Sequence, residues 1–232
     1  MDLRSCKQSG FNWKNEMGDA HLPQRGNHMA IFNIQKREIE CKIVFYGPGR
    51  CGKTTNLEHI FKAFKKQVTG EMVSVDTEGD STLFFDFLPM GLGKINGCDV
   101  RVQIFTVPGQ QKYTSTRKLV LKGVDGVVFV ADSLAVRREK NLLSLKDLQQ
   151  NLREYGQSIT RIPLVLQYNK RDLADEGVPI MSVEQMERDL NRQLKVSSFE
   201  ASATKGTGVG KTLQECLKQT LVSLQKELQW AK

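Results

Sequence analysis

Ile39-Glu40-Cys41-Lys42-Ile43-Val44-Phe45-Tyr46 runs without a break into Gly47-Pro48-Gly49-Arg50-Cys51-Gly52-Lys53-Thr54, and the reading of residues 39–54 decides the fold. The first half reads as a buried strand, and residues 53–66 carry a helix-like pattern. Between them lies a full GxxxxGK[ST] match. Glycines let backbone N–H groups curl inward around phosphates, Lys53 is placed to reach the β and γ phosphates, and the Thr54 hydroxyl suits Mg²⁺. The positive end of the following helix dipole favours the same anion. The residues expected to hold the phosphates are Gly47, Gly49, Arg50, Cys51, Gly52, Lys53, Thr54 and Thr55, with the Arg50 side chain expected to face solvent.

Working outward, further strands are expected at 82–88, 99–106, 124–131, 163–168 and 197–202, and helices at 136–155, 182–193 and 209–228. In the last helix Leu213, Leu217, Leu221 and Leu224 share one face. The glycine-rich stretch 89–98 (PMGLGKINGC) reads as a hairpin connection, so strands 82–88 and 99–106 should be antiparallel. Helices separate the other strands, which demands parallel crossovers. The expected fold is α/β: a single P-loop domain with a mostly parallel sheet, one antiparallel edge strand and helices on both faces. Residues 29–232 form this domain, and residues 1–28, which lack apolar periodicity, read as a disordered extension.

Of the 232 residues 39% are hydrophobic and 26% charged, enough for a proper core, and the net charge of +8 suits anionic partners without naming one. The cysteines are scattered without a CxxC pair, which argues against a disulfide framework or a zinc site. His21, His28 and His59 make no metal-spaced set, and His59 reads as a helix-surface residue. No apolar run is long enough for a membrane span. Position 2 is Asp2 rather than a glycine, and no CaaX box is written, so neither usual lipid anchor is expected. A cytoplasmic monomer, with no specific nucleic-acid partner, is expected.

Asn169-Lys170-Arg171-Asp172 follows strand 163–168. A carboxylate there can accept both N1–H and N2–H₂ of guanine, whereas adenine offers neither donor and would leave the acid unpaired. Asn169 could brace the P-loop or the base edge, and the Lys170 stem could lie over the purine. After the last strand, Ser202-Ala203-Thr204 brings small residues and backbone amides suited to the guanine O6. GTP or GDP with Mg²⁺ is the ligand this combination favours. An ATP-dependent enzyme using the same P-loop remains as a rival, with Asp172 against it.

These elements, in this order, resemble the Ras-like superfamily over residues 39–228. Thr106-Val107-Pro108-Gly109-Gln110, together with GPGxCGKTTNL at 47–57, TLFFDFLP at 82–89 and LQYNKRDL at 166–173, is similar to the MglA-type bacterial small GTPases. The resemblance implies a GTP-hydrolysing switch for cell polarity or for gliding and pilus motility. It also implies an MglB-type roadblock activator, motility effectors and a location that can include the cell poles. It further makes Thr82 the switch threonine and a second metal ligand, Gly109 the γ-phosphate sensor and Gln110 the residue that orients the attacking water. Lys53, Thr82 and Gln110 are the expected catalytic residues. Two departures stand out. Thr106 replaces the acid of the usual DxxG, and Ser81 stands where the family commonly has an arginine before Thr82. Slow intrinsic hydrolysis is therefore expected, and a GTPase-like scaffold held in one nucleotide state stays open. The resemblance also raises a nucleotide-dependent slide of strand 82–88. A two-residue slip would preserve its faces, and a fixed strand is equally compatible with the sequence.

Overall fold

The computed structural model describes residues 31–33, 37–75, 85–95, 97–108 and 114–230. Strand β1 is Ile31–Asn33, β2 is Glu38–Tyr46, β3 is Val73–Val75, β4 is Phe85–Ile95 and β5 is Cys98–Thr106. Then come β6 (Gly126–Asp132), β7 (Leu164–Asn169) and β8 (Ser198–Glu200). The helices are α1 (Lys53–Ala63), α2 (Thr114–Leu121), α3 (Arg138–Glu154), α4 (Val183–Met186) and α5 (Val209–Trp230). One sheet runs in the order β3-β4-β5-β2-β6-β7-β8, and β1 pairs with the first residues of β2. The pairs from β5 through β2, β6 and β7 to β8 are parallel, and β4 pairs antiparallel with β5 as expected.

Period-two alternation divides the core. Ile43 and Phe45 of β2 join Leu88, Ile104, Val128 and Val130 beneath Leu57 and Ile60 of α1 and Leu213, Leu217 and Leu224 of α5. Val44 and Tyr46 point the other way, with Phe129, Leu166 and Tyr168, against Leu148 and Leu152 of α3 and Leu121 of α2. Every residue of β6 is buried, as a central parallel strand covered on both faces must be. Each large apolar side chain so buried contributes about 1.5–3 kcal/mol relative to exposure.

Several expected boundaries move. The segment 89–95 is strand, because β4 continues its ladder from Phe87 opposite Phe105 to Ile95 opposite Cys98, with a bulge between Gly91 and Gly93. The expected residues 82–84 of that strand lie outside the described residues. The antiparallel side is also wider than one edge strand, since β3 pairs beyond β4. The helix expected at 182–193 is a short α4 that loosens into a π turn at Glu187–Asn191. There Asn191 bonds Val196 twice, at 2.8 and 2.9 Å, and turns the chain toward β8. The extension expected at 1–28 lies outside the described residues.

Candidate nucleotide site

The loop 47–52 sits at the C-terminal ends of β2, β6 and β7, where open α/β sheets bind ligands. Two of its glycines are sterically required. Gly47 has φ 150°, and a Cβ there would lie 2.2 Å from the Val130 carbonyl oxygen. Gly52 has φ 96°, and a Cβ there would lie 2.3 Å from Asn169 Nδ2. Arg50 takes a left-handed conformation, φ 62°, with its side chain exposed as expected.

Lys53 is buried and folds back over its own loop. Its Nζ donates to Gly47 O at 3.0 Å and Pro48 O at 2.8 Å. An ammonium has three donors on a flexible stem, so it can turn from these carbonyls to a phosphate without moving the backbone. Burial raises the pKa of the neighbouring Cys51 thiol while the Lys53 charge opposes the rise. A neutral thiol there leaves the cradle without an added negative charge. Thr55 lies half-buried in the first turn of α1.

At the other end Asn169 is almost wholly buried. Its Nδ2 donates to Cys51 O at 2.7 Å, and its Oδ1 accepts from Ala203 N at 2.8 Å. Of the two roles open in the sequence, it thus takes the brace, tying the cradle to the Ser202–Thr204 loop. The Asp172 carboxylate accepts from the Thr204 hydroxyl at 3.2 Å, and Ser202 Oγ lies 3.0 Å from Thr204 Oγ1. Lys170, at φ 68°, places Nζ 2.8 Å from Asp132 Oδ2. His59 is half-buried and packs against Gly206, where a Cβ would lie 1.9 Å from its ring, so it supports this loop and is not a plain surface residue.

The third part of the site was not foreseen. Asp86 of β4 is buried, and its Oδ2 accepts from the Thr54 hydroxyl at 2.6 Å and the Thr106 hydroxyl at 2.8 Å. Its backbone N–H donates to Thr106 Oγ1 at 3.0 Å. Thr106, the residue that replaces the usual acid, thus stands beside an acid from the adjacent strand. The available signal was a lone carboxylate on the face that Asp86 shares with Leu88. Arg117 of α2 was likewise missed. Its guanidinium pairs with Asp147 at 2.8 Å and donates to Pro108 O at 3.4 Å and Thr114 Oγ1 at 3.0 Å, anchoring both flanks of 109–113 to α3. The Tyr46 hydroxyl donates to the same Asp147 carboxylate. Ser81, Thr82, Gly109 and Gln110 lie outside the described residues.

The Ras family model matches residues 42–222. The chain belongs to the Ras family. It is also 49% identical over 198 residues, 85% of this chain and 99% of the relative, to the mutual gliding-motility protein MglA of Myxococcus xanthus (strain DK1622).

As a Ras-family small GTPase it binds GTP or GDP with Mg²⁺ and hydrolyses GTP. The observed donors fit that ion. Thr54, Asp86 and Thr106 offer oxygen alone, the ligand type a small hard cation takes, and few protein ligands suffice when phosphates and water supply the rest. Thr54, with the Asp86 carboxylate beside it, would hold Mg²⁺, which when bound would supply positive charge against the charge that develops on the phosphates. Among the described residues no helix is long and apolar enough to cross a membrane.

Proposed function

We propose that this GTPase is a nucleotide-operated switch in bacterial cell polarity or motility, working through a GTP-dependent effector and an MglB-type roadblock activator. The observation that carries the reading is the Asp86 bridge between Thr54 of the cradle and Thr106 of β5. It joins the phosphate site to β4, the strand that leads out of residues 76–84. The 49% identity to a gliding-motility protein supports the cellular role.

In this reading residues 29–232 are the folded unit. Gly47, Gly49, Arg50, Cys51, Gly52, Lys53, Thr54 and Thr55 hold the phosphates through the cradle. Asp172 reads the guanine N1–H and N2–H₂, Lys170 lies beside the purine, and the Ser202-Ala203-Thr204 loop receives O6. Thr54 and Thr82 serve the metal, and Asp86 supplies the carboxylate that Thr106 lacks. Gly109 senses the γ-phosphate and Gln110 orients the attacking water. With Ser81 in place of a nearby guanidinium, charge on the γ-phosphate goes uncompensated by a cation in cis, and intrinsic hydrolysis is slow. A two-residue slide of β4 would carry Asp86 about 7 Å from Thr54 while keeping its faces, so the moving strand and the metal end would be one device. The scaffold reading loses one of its two supports, because Asp86 compensates for Thr106.

The test is capture of a roadblock-type partner and of polarity effectors by the full chain loaded with GDP or with a non-hydrolysable GTP analogue. Capture in the GTP form with acceleration of hydrolysis is expected. Equal capture in both forms with no hydrolysis over many turnovers would favour the scaffold.

A further inference from the structure

An anion-binding loop that turns its N–H groups inward points its carbonyls outward, and each of those needs a donor of its own. In this cradle Gly47 O and Pro48 O accept from Lys53 Nζ, Cys51 O from Asn169 Nδ2 at 2.7 Å and Gly52 O from Asn56 Nδ2 at 2.8 Å. Gly49 O is held differently. Its donor is the Arg137 guanidinium, which reaches it through Nη2 from 88 residues away. Arg137 closes the 3-10 turn Ala135–Arg137 between β6 and α3.

The same guanidinium has Nε 3.6 Å from Asp132 Oδ2. Asp132 is fully buried, its Oδ1 accepts from Leu134 N at 3.1 Å, and its Oδ2 also holds Lys170 at 2.8 Å. One buried carboxylate thus grips two cations. One lies beside the base site and the other on the crown of the phosphate loop, next to Arg50 in its left-handed conformation. Lys53 must be free to turn toward a phosphate, so its hold on Gly47 and Pro48 can be given up. The Arg137 tether on Gly49 requires no such exchange.

We propose that Arg137 is a positioning residue for nucleotide retention: with Asp132 it fixes the Gly49 carbonyl outward, so that the loop amides stay turned to the phosphates. The inference rests on the P-loop and base-site assignment above and adds a residue that none of the sequence motifs contains. Because the tether acts on the loop backbone, it serves GDP and GTP alike. It does not touch the γ-phosphate and does not set the chemical step.

The experiment measures dissociation of a fluorescent GDP and of GTP from the full chain with Mg²⁺, beside single-turnover hydrolysis of pre-bound GTP. Arg137→Ala is expected to release both nucleotides about 10- to 100-fold faster, the weight of one charge-assisted hydrogen bond. Hydrolysis of pre-bound GTP should stay within about threefold of wild type. Arg137→Lys should restore most of the retention, and Arg137→Gln, which keeps a donor without the charge, should fall between. These two also carry the test if the alanine variant fails to fold. Unchanged dissociation in Arg137→Ala would overturn the proposal. So would a hydrolysis loss of about 100-fold with dissociation intact, which would make Arg137 a cation acting on the γ-phosphate. A wild-type protein that retains no guanine nucleotide would instead overturn the site assignment on which the proposal rests.

Discussion

The Asp172 carboxylate accepts from the Thr204 hydroxyl at 3.2 Å, a contact that joins the two loops after β7 and β8. In the proposed reading guanine adds two donors to the one that Thr204 supplies, and adenine adds none. Replacing Asp172 with Asn should weaken GTP and GDP binding by about 100-fold or more and improve binding of a xanthine nucleotide, whose O2 accepts where guanine donates. A competition titration checks this, and equal competition by ATP against the wild type would remove the base-reading role. Asn169 acts at the same scale by another route. Its side chain joins two loops, the phosphate cradle and the Ser202–Thr204 turn.

At the scale of elements, the approach of α5 to β6 depends on a missing side chain. A Cβ at Gly126 would lie 2.2 Å from Thr220 Oγ1 and 3.3 Å from Cys216 Sγ. Thr220 is fully buried and donates to Cys216 O at 2.8 Å, so it cannot swing aside freely. Gly126→Ala should therefore force α5 outward and cost about 1–3 kcal/mol, read as a lower urea midpoint. An unchanged midpoint would mean that the helix shifts without loss of packing. Elements with strong periodicity, β2, β6, β7 and α5, were legible in the sequence because a buried strand or an amphipathic helix imposes its own pattern. The stretch 89–95 was not, because its glycines imitate a loop while the ladder to β5 holds it as strand. The short strands β1 and β3 and the eight-residue α2 offer too few residues for a period to show. The three loops that the structure brings together, 47–52, 169–172 and 202–204, were each visible as a contiguous motif. Asp86, Arg117 and Arg137 act as single residues that the fold brings in from elsewhere, Asp86 meeting Thr54 across 32 positions, and no local spacing announces them.

For the whole molecule, the two cores of the described residues run from Cys41 to Leu224, and residues 1–28 carry no apolar periodicity in the sequence. Deleting 1–28 should leave nucleotide affinity and melting temperature essentially unchanged, and a fall of more than a few degrees would show that the extension packs on the domain. What unites the fold is a sheet whose antiparallel side brings an acid to the phosphate loop. Asp86→Asn keeps the shape and removes the charge that both the Thr54 and Thr106 hydroxyls face. The deciding measurement is GTP affinity titrated against Mg²⁺ for wild type and Asp86→Asn. The Mg²⁺ needed for half-maximal tight binding should rise about tenfold or more in the variant, while metal-free affinity holds. Superimposable Mg²⁺ curves would contradict a metal end completed by β4.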